Sequence, residues 1–145
     1  MRVLVQRCDR ACVKVDDKIV GQIGMGVMIL VGITHDDDSK KIDYLVDKLI
    51  NLRIFDDENG VMNKSLLDVS GSILSISQFT LYADTRKGRR PSYVEAMSGD
   101  KAKALYDEFN EKLRNIGVKV ETGIFGADMK VDFINDGPIT IMLEK

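Results

Sequence analysis

The sequence predicts an α+β protein: a single strand-rich domain over residues 1–145, with a mixed or antiparallel, barrel-like core and two main helices packed on one side. Three observations lead there. Apolar runs of strand type outnumber helical stretches, only two segments carry apolar residues at helical spacing, and 145 residues suit one domain with a real core.

The elements follow in order. Val3-Leu4-Val5 and Cys12-Val13-Lys14-Val15 alternate as strands do, and Asp16-Asp17-Lys18 turns the chain into Ile19-Val20, an antiparallel opening. Gly26-Val27-Met28-Ile29-Leu30-Val31 is almost continuously apolar, which predicts a strand covered on both faces. The period then changes. Ile42, Leu45, Val46, Leu49 and Leu52 fall on one helical stripe, with Asp37 or Asp38 as the N-terminal cap. Asp56-Asp57-Glu58-Asn59-Gly60 reads as a turn, and residues 72–81 as a strand. A second helix is expected from about Lys101 to Ile116, striped by Ala102, Leu105, Phe109, Leu113 and Ile116 and stopped by Gly117. Strands over Val118–Val120, Lys130–Ile134 and Ile139–Leu143 complete the chain.

The last two strands flank Asn135-Asp136-Gly137-Pro138-Ile139-Thr140, which holds one of only two prolines. Proline fixes its own φ and restricts the residue before it, so a sharp, stiff turn is expected at Gly137-Pro138. That turn is a plain hairpin corner or, since X-Pro bonds alone adopt cis cheaply, a device that aims two successive carbonyl groups.

Composition narrows the function. A hydrophobic content of 44% with 30% charged residues is ordinary for a soluble globular protein, and no apolar stretch approaches the length of a membrane span. The start, Met1-Arg2-Val3-Leu4-Val5-Gln6-Arg7, reads directly into a strand with no secretory leader, which predicts a cytoplasmic protein. Cys8 and Cys12 are expected as reduced packing thiols. A net charge of −2 argues against a generic nucleic-acid binder, so any RNA contact must be local. Arg86-Lys87-Gly88-Arg89-Arg90 is the one candidate patch, either a solvated loop or a phosphate clamp.

The catalytic inventory is thin. His35, the sole histidine, sits in the polar stretch Thr34-His35-Asp36-Asp37-Asp38 and reads as an unpaired surface residue. One histidine and two close cysteines do not supply a zinc site, so neither a metal nor another cofactor is expected. Ser77-Gln78-Phe79-Thr80-Leu81 follows the apolar run Ile73-Leu74-Ser75-Ile76 and carries the hydroxyls of Ser77 and Thr80. A hydroxyl is a poor nucleophile without a base. Strand alternation would put Ser77 and Phe79 on one face and Gln78 and Thr80 on the other. The backbone N–H groups of Gln78, Phe79 and Thr80 are then candidate oxyanion donors if the strand ends there.

Ser77-Gln78-Phe79-Thr80 and the Asn135-to-Thr140 segment, an Asn-x-Gly-Pro-x-Thr pattern, together resemble the two signatures of the D-aminoacyl-tRNA deacylases. The likeness runs end to end, through Arg2-Val3-Leu4-Val5-Gln6-Arg7, Leu52-Arg53-Ile54-Phe55, Lys87-Gly88-Arg89-Arg90-Pro91-Ser92 and Thr122-Gly123-Ile124-Phe125-Gly126-Ala127-Asp128-Met129. Both signatures are intact, and Cys8 and Tyr93 look like ordinary apolar variation.

The resemblance implies a homodimer that hydrolyses the ester between a D-amino acid and tRNA. It implies a catalytic segment at Gln78, Phe79 and Thr80, and substrate contacts at Ser77, Met129, Gly137 and Pro138. It further implies that Gly137-Pro138 is cis and enters the partner's active site, where main-chain atoms screen the α-carbon against L side chains. Glycine, with no side chain, would pass that screen. The 2′-hydroxyl of the terminal adenosine would assist the attacking water, with a Thr80 nucleophile as the alternative mechanism. Arg86, Lys87, Arg89 and Arg90 would hold the tRNA. Met129 is equally readable as a core residue. A non-catalytic module that binds the tRNA end, with both motifs as structural turns, is the competing class of function.

Overall fold

A computed structural model describes all 145 residues. The opening strand is longer than alternation alone suggests. β1 (Arg2–Val15) runs without a break and forms the spine of the molecule. Its first half pairs antiparallel with β3 (Gly26–Gly32), its second half with β2 (Lys18–Ile23), and its other edge with β8 (Lys130–Glu144) along the full length. Asp16 and Asp17, both with φ near +50 to +60°, make the tight turn from β1 to β2. β6 (Ser72–Ser77) joins β3 in parallel, and β7 (Val120–Thr122) joins β6 in parallel, giving the order β2-β1-β3-β6-β7 with β8 on β1. Thr122 at the β7 end comes back against Gly21 of β2, so the mixed sheet is nearly closed.

The helices lie where periodicity placed them. α1 (Ser39–Asn51) buries Ile42, Leu45, Val46, Leu49 and Ile50. Asp38 caps it, accepting from the Lys41 N–H at 3.0 Å; Asp37, the other candidate, is buried and meets the Met1 ammonium at 2.6 Å instead. α2 (Gly99–Asn115) starts two residues before the expected boundary and buries Ala102, Tyr106, Phe109, Asn110 and Leu113. Leu105 is only half-buried, and Ile116 lies past the helix end at 47% exposure, with Gly117 at φ +100° stopping the helix as expected. A short hairpin of β4 (Phe55–Asp56) and β5 (Met62–Lys64) encloses the expected turn.

Both faces of β3 are covered. Val27, Ile29 and Val31 join the larger core beneath the helices, with Val3, Val5, Ile73, Leu45 and Phe109; Met28 joins the smaller cluster of Cys8, Ala11, Val13, Ile23, Leu74 and Ile76. Burial on this scale, at roughly 25 cal/mol per Å² of apolar surface, is what holds the sheet and helices together.

Two expectations fail in instructive ways, and one pair of alternatives is narrowed. The strand predicted over 72–81 ends at Ser77, and residues Phe79–Tyr82 form a 3₁₀ turn. The strand around 118–120 is displaced to Val120–Thr122, because only there does it pair with Ile73 to Ser75. Of the two readings of Gly137-Pro138, the hairpin corner falls and the cis bond that the resemblance implied is present. The chain continues antiparallel to β1 on both sides, with Gln6 opposite Thr140 and Cys8 opposite Asn135. Residues 136–139 therefore stand out of the sheet opposite Arg7 alone, as an enlarged bulge.

Candidate functional site

The parallel pair β3 and β6 ends beside the start of α2, and a cleft of about 490 Å³ opens there. Leu30, Val31, Ile33 and Ile76 form its floor; Met97 to Gly99 and Ala102 form one wall, and Phe125 to Met129 with Val131 the other. Ser77, Gln78 and Phe79 complete its lining, where the chain after β6 crosses over Gly32. Gly32 makes this crossing possible, since a Cβ there would stand 3.0 Å from the Leu81 Cβ and 3.2 Å from the Gln78 carbonyl oxygen. Any side chain at that position would push the Ser77-to-Tyr82 segment outward.

The end of β6 changes what the signature can do. Because the chain coils after Ser77, alternation no longer separates Gln78 from Phe79, and both line the cleft. Thr80 does not line it: the residue is exposed, and its hydroxyl accepts a 2.5 Å hydrogen bond from the Gln78 side-chain amide. The Gln78 N–H is taken by the Val31 carbonyl at 2.8 Å, so it is not a free oxyanion donor. The N–H groups of Phe79 and Thr80 precede the first bond of the 3₁₀ turn, Leu81 N–H to Gln78 O.

Met129 lines the cleft and also packs against the smaller core cluster, so it is both wall and core. Among the cleft residues there is no histidine, cysteine or lysine, and Asp128 is the one charged side chain. His35 is exposed but not unpaired, since its Nε2 lies 2.7 Å from the Val94 carbonyl oxygen, which requires that nitrogen to carry the proton. No group of three or more His, Cys, Asp or Glu side chains is arranged to hold a metal ion.

The Asn135-to-Thr140 segment is built by its own side chains. Asn135 Nδ2 donates to the Arg7 carbonyl at 2.9 Å and the Ile139 carbonyl at 3.1 Å, closing the bulge across its base. Gln6 donates to Asn135 Oδ1 at 3.1 Å, and Thr140 Oγ1 lies 3.2 Å from both Asn135 Oδ1 and the Pro138 carbonyl oxygen. Arg7, a tenth exposed in its side chain, donates to the Ile54 carbonyl at 2.7 Å. Its Nε sits 2.7 Å from Asp136 Oδ2, although the N–H is not directed along that contact. Gly137 and Pro138 are exposed and do not line the cleft of their own chain.

The basic loop is split. Arg86 makes a forked pair with Asp84, at 2.9 and 2.8 Å, and this guanidinium holds the Asp84 carboxyl down to a pKa of about 2. Lys87, Arg89 and Arg90 are exposed and meet no carboxylate. The sequence reading missed the Met97-to-Ala102 wall, which sits on an ordinary helix start, and Tyr93, which packs edge-on against Phe79 at 5.0 Å. On the other wall Met129 is the one residue expected as a substrate contact, and Phe125 to Asp128 are signalled only by the family likeness.

A D-aminoacyl-tRNA deacylase of Limosilactobacillus reuteri (strain DSM 20016) is 56% identical over 145 residues, covering 100% of both chains. One of Bacillus pumilus (strain SAFR-032) is 58% identical over 144 residues, covering 99% of this chain and 98% of its own. Among solved structures, the c-Myc DNA Unwinding Element Binding Protein superposes with a TM-score of 0.95 at 40% identity, covering 100% of this chain and 99% of that one. A probable eukaryotic D-amino acid tRNA deacylase shares the fold, with a TM-score of 0.85 at 24% identity over 98% and 97% of the two chains. The family model described as D-Tyr-tRNA(Tyr) deacylase matches residues 4–144, and with full-length relatives above half identity, the chain belongs to that family.

Proposed function

We propose that the chain hydrolyses the ester between a D-amino acid, or achiral glycine, and the 3′-terminal adenosine of tRNA. The observation that carries the reading is the cleft: mostly apolar, lined by Ser77-Gln78-Phe79, and with Asp128 as its one ionisable side chain, a carboxylate 90% exposed and 3.3 Å from the Lys130 ammonium rather than turned to a water in the cleft. A site of this kind positions and polarises. The substrate's own 2′-hydroxyl therefore assists the water that attacks the ester carbonyl, the 3′-oxygen leaves with a proton, and a free D-amino acid and tRNA result. The N–H group of Phe79, a residue that lines the cleft, is the donor for the developing oxyanion. Thr80 itself is not the nucleophile in this account, since its hydroxyl is outside the cleft and tied to Gln78.

Chirality is screened by a second copy of the chain. Gly137 and Pro138 are exposed in a bulge, do not line their own cleft, and belong to a strand whose outer edge has no partner. A 15-residue open edge bearing exposed Ile134 and Met142 is suited to association, and a C2 dimer would carry each bulge toward the other subunit's cleft. Main-chain carbonyls of the bulge then hold the α-ammonium and leave no room for an L side chain.

Incubation of the purified protein with D-Tyr-tRNA and L-Tyr-tRNA tests the reading, which requires catalytic release of D-tyrosine and little release of the L form. A monomer mass at micromolar concentration with full activity would remove the dimer. The competing reading, nucleic-acid binding without catalysis, is favoured by the name of the c-Myc DNA Unwinding Element Binding Protein. It requires stoichiometric binding of the tRNA with no released amino acid.

A further inference from the structure

Beside the cleft stands a solvent-facing aromatic pair whose rings are outside the core and have no part in the proposed chemistry, which uses only the Phe79 main chain. Phe79 is 53% exposed and Tyr93 41% exposed, their rings crossed at 69° with centroids 5.0 Å apart. Large aromatics left open to water in a defined geometry call for an occupant.

The pair is held firmly. Asp84 and Ser92 exchange both backbone hydrogen bonds, at 2.8 and 2.9 Å, so residues 84–92 form a closed loop whose end delivers Tyr93. Beyond Tyr93 the chain is clamped by His35 on the Val94 carbonyl and by the Thr34 hydroxyl on the Glu95 carbonyl at 2.6 Å. The same closed loop carries Lys87, Arg89 and Arg90, the cations that meet no carboxylate. Phe79 touches the cleft, Tyr93 touches Phe79, and the free cations share Tyr93's loop.

We propose that Phe79 and Tyr93 form a stacking platform for the unpaired base preceding the terminal adenosine of an RNA 3′ end, with Lys87, Arg89 and Arg90 gripping its phosphates. The inference rests on the deacylase reading for which nucleoside occupies the cleft, and it names how the adjoining strand is held. A single strand offers both partners at once: every base has a π-face for an aromatic side chain, and every linkage has a charge for a cation. The single-stranded end of a tRNA fits this surface better than a duplex, whose bases are stacked on each other.

The test compares Tyr93→Ala with wild type on D-aminoacyl-tRNA and on a minimal D-aminoacyl-adenosine. The loss in kcat/KM should be about ten-fold greater on the tRNA, in the range that one lost base–aromatic stack produces, and should appear mainly in KM. Tyr93→Phe should restore most of it. Since the chain has no tryptophan, Tyr93→Trp adds a direct reporter, and its emission should be quenched by a short single-stranded oligoribonucleotide ending in adenosine. The same oligonucleotide made abasic at the penultimate position should quench far less. Equal losses on both substrates, or identical quenching by the abasic strand, overturn the platform. So does a change in sedimented mass in Tyr93→Ala, which makes the pair part of a subunit contact. If wild type hydrolyses neither substrate, the deacylase reading fails by itself, and the quench still decides the platform.

Discussion

The Gln78 side-chain amide donates to the Thr80 hydroxyl at 2.5 Å, and this contact, made outside the cleft, fixes what the signature hydroxyl can do. A nucleophilic threonine needs a base that takes its proton, whereas the Thr80 hydroxyl here accepts a hydrogen bond from an amide that cannot serve as a base. Thr80→Ala should therefore keep substantial activity, losing no more than about 10² in kcat, the scale of one weakened oxyanion contact. A substrate ending in 2′-deoxyadenosine should be hydrolysed far more slowly by wild type. Single-turnover kinetics on the two substrates measure both effects, and an acyl-enzyme trapped on Thr80 would refute the assignment.

The split of the basic loop predicts a split in salt dependence. Replacing Lys87, Arg89 and Arg90 with glutamine removes cations that have no protein partner, so the slope of log affinity for tRNA against log salt should flatten by about 0.7 per residue on a single strand. Arg86→Gln should flatten it less, because Arg86 is already committed to Asp84. A larger effect from Arg86 alone would show that tRNA displaces Asp84 from it.

The Asp84–Arg86 pair also sets a pH window. Hydrogen bonding to Arg86 lowers the Asp84 pKa to about 2 in the fold, so the contact is complete above the ordinary value of 3.8 and is lost as pH falls toward 2. Carbon-detected NMR titration of Asp84 should give a midpoint near 2 in wild type and a higher midpoint in Arg86→Gln, still held below the ordinary value by the residue-86 backbone N–H at 3.0 Å. A wild-type midpoint near 3.8 would mean that the pair is not formed in solution.

Burial pushes the Cys8 thiol up to about 11, so Cys8 should be inert to an aromatic disulfide reagent at pH 8 while folded. Because folding raises this pKa, the thiol's contribution to stability is present below 9.0 and is lost as pH climbs through about 11. A Cys12→Ser variant isolates the measurement: no thiol should react in the native state and one should react in denaturant. Rapid native labelling of that variant would place Cys8 at the surface.

The sequence showed the fold where hydrophobic periodicity acts over many residues. The α1 stripe, the doubly covered β3 and the stop at Gly117 are all written in local pattern. The failures occur where a tertiary contact decides. Residues 78–81 read as strand because Phe79 and Leu81 continue the apolar pattern, yet the chain must turn there to pass over Gly32, a contact from a distant strand. Gly137-Pro138 reads as a corner because proline breaks a ladder, but β1 is long enough to pair with the chain on both sides of it. The cleft was half legible: Ser77, Gln78, Phe79 and Met129 line it, whereas Ser98, Gly99 and Ala102 carry no chemical signal and enter only through the packing of α2.

Gly137 offers the most direct test of the chiral screen. Its φ of +109° is one that L side chains rarely adopt, and an added Cβ would lie 2.8 Å from Ile139 Cγ1 and 2.9 Å from the Ile139 nitrogen. Gly137→Ala therefore strains the bulge by about 1–3 kcal/mol and moves its carbonyl groups. The pairs on either side, Gln6 with Thr140 and Cys8 with Asn135, are backbone contacts that the methyl group does not touch, so the sheet should persist. The expected result is a melting temperature lower by several degrees, kcat/KM on D-Tyr-tRNA reduced at least ten-fold, and a smaller ratio of D to L activity. The change in ratio is the decisive quantity, because loss of stability alone would scale both substrates together. A folded, dimeric Gly137→Ala protein that keeps the wild-type ratio would leave the bulge without a part in selecting the hand of the amino acid.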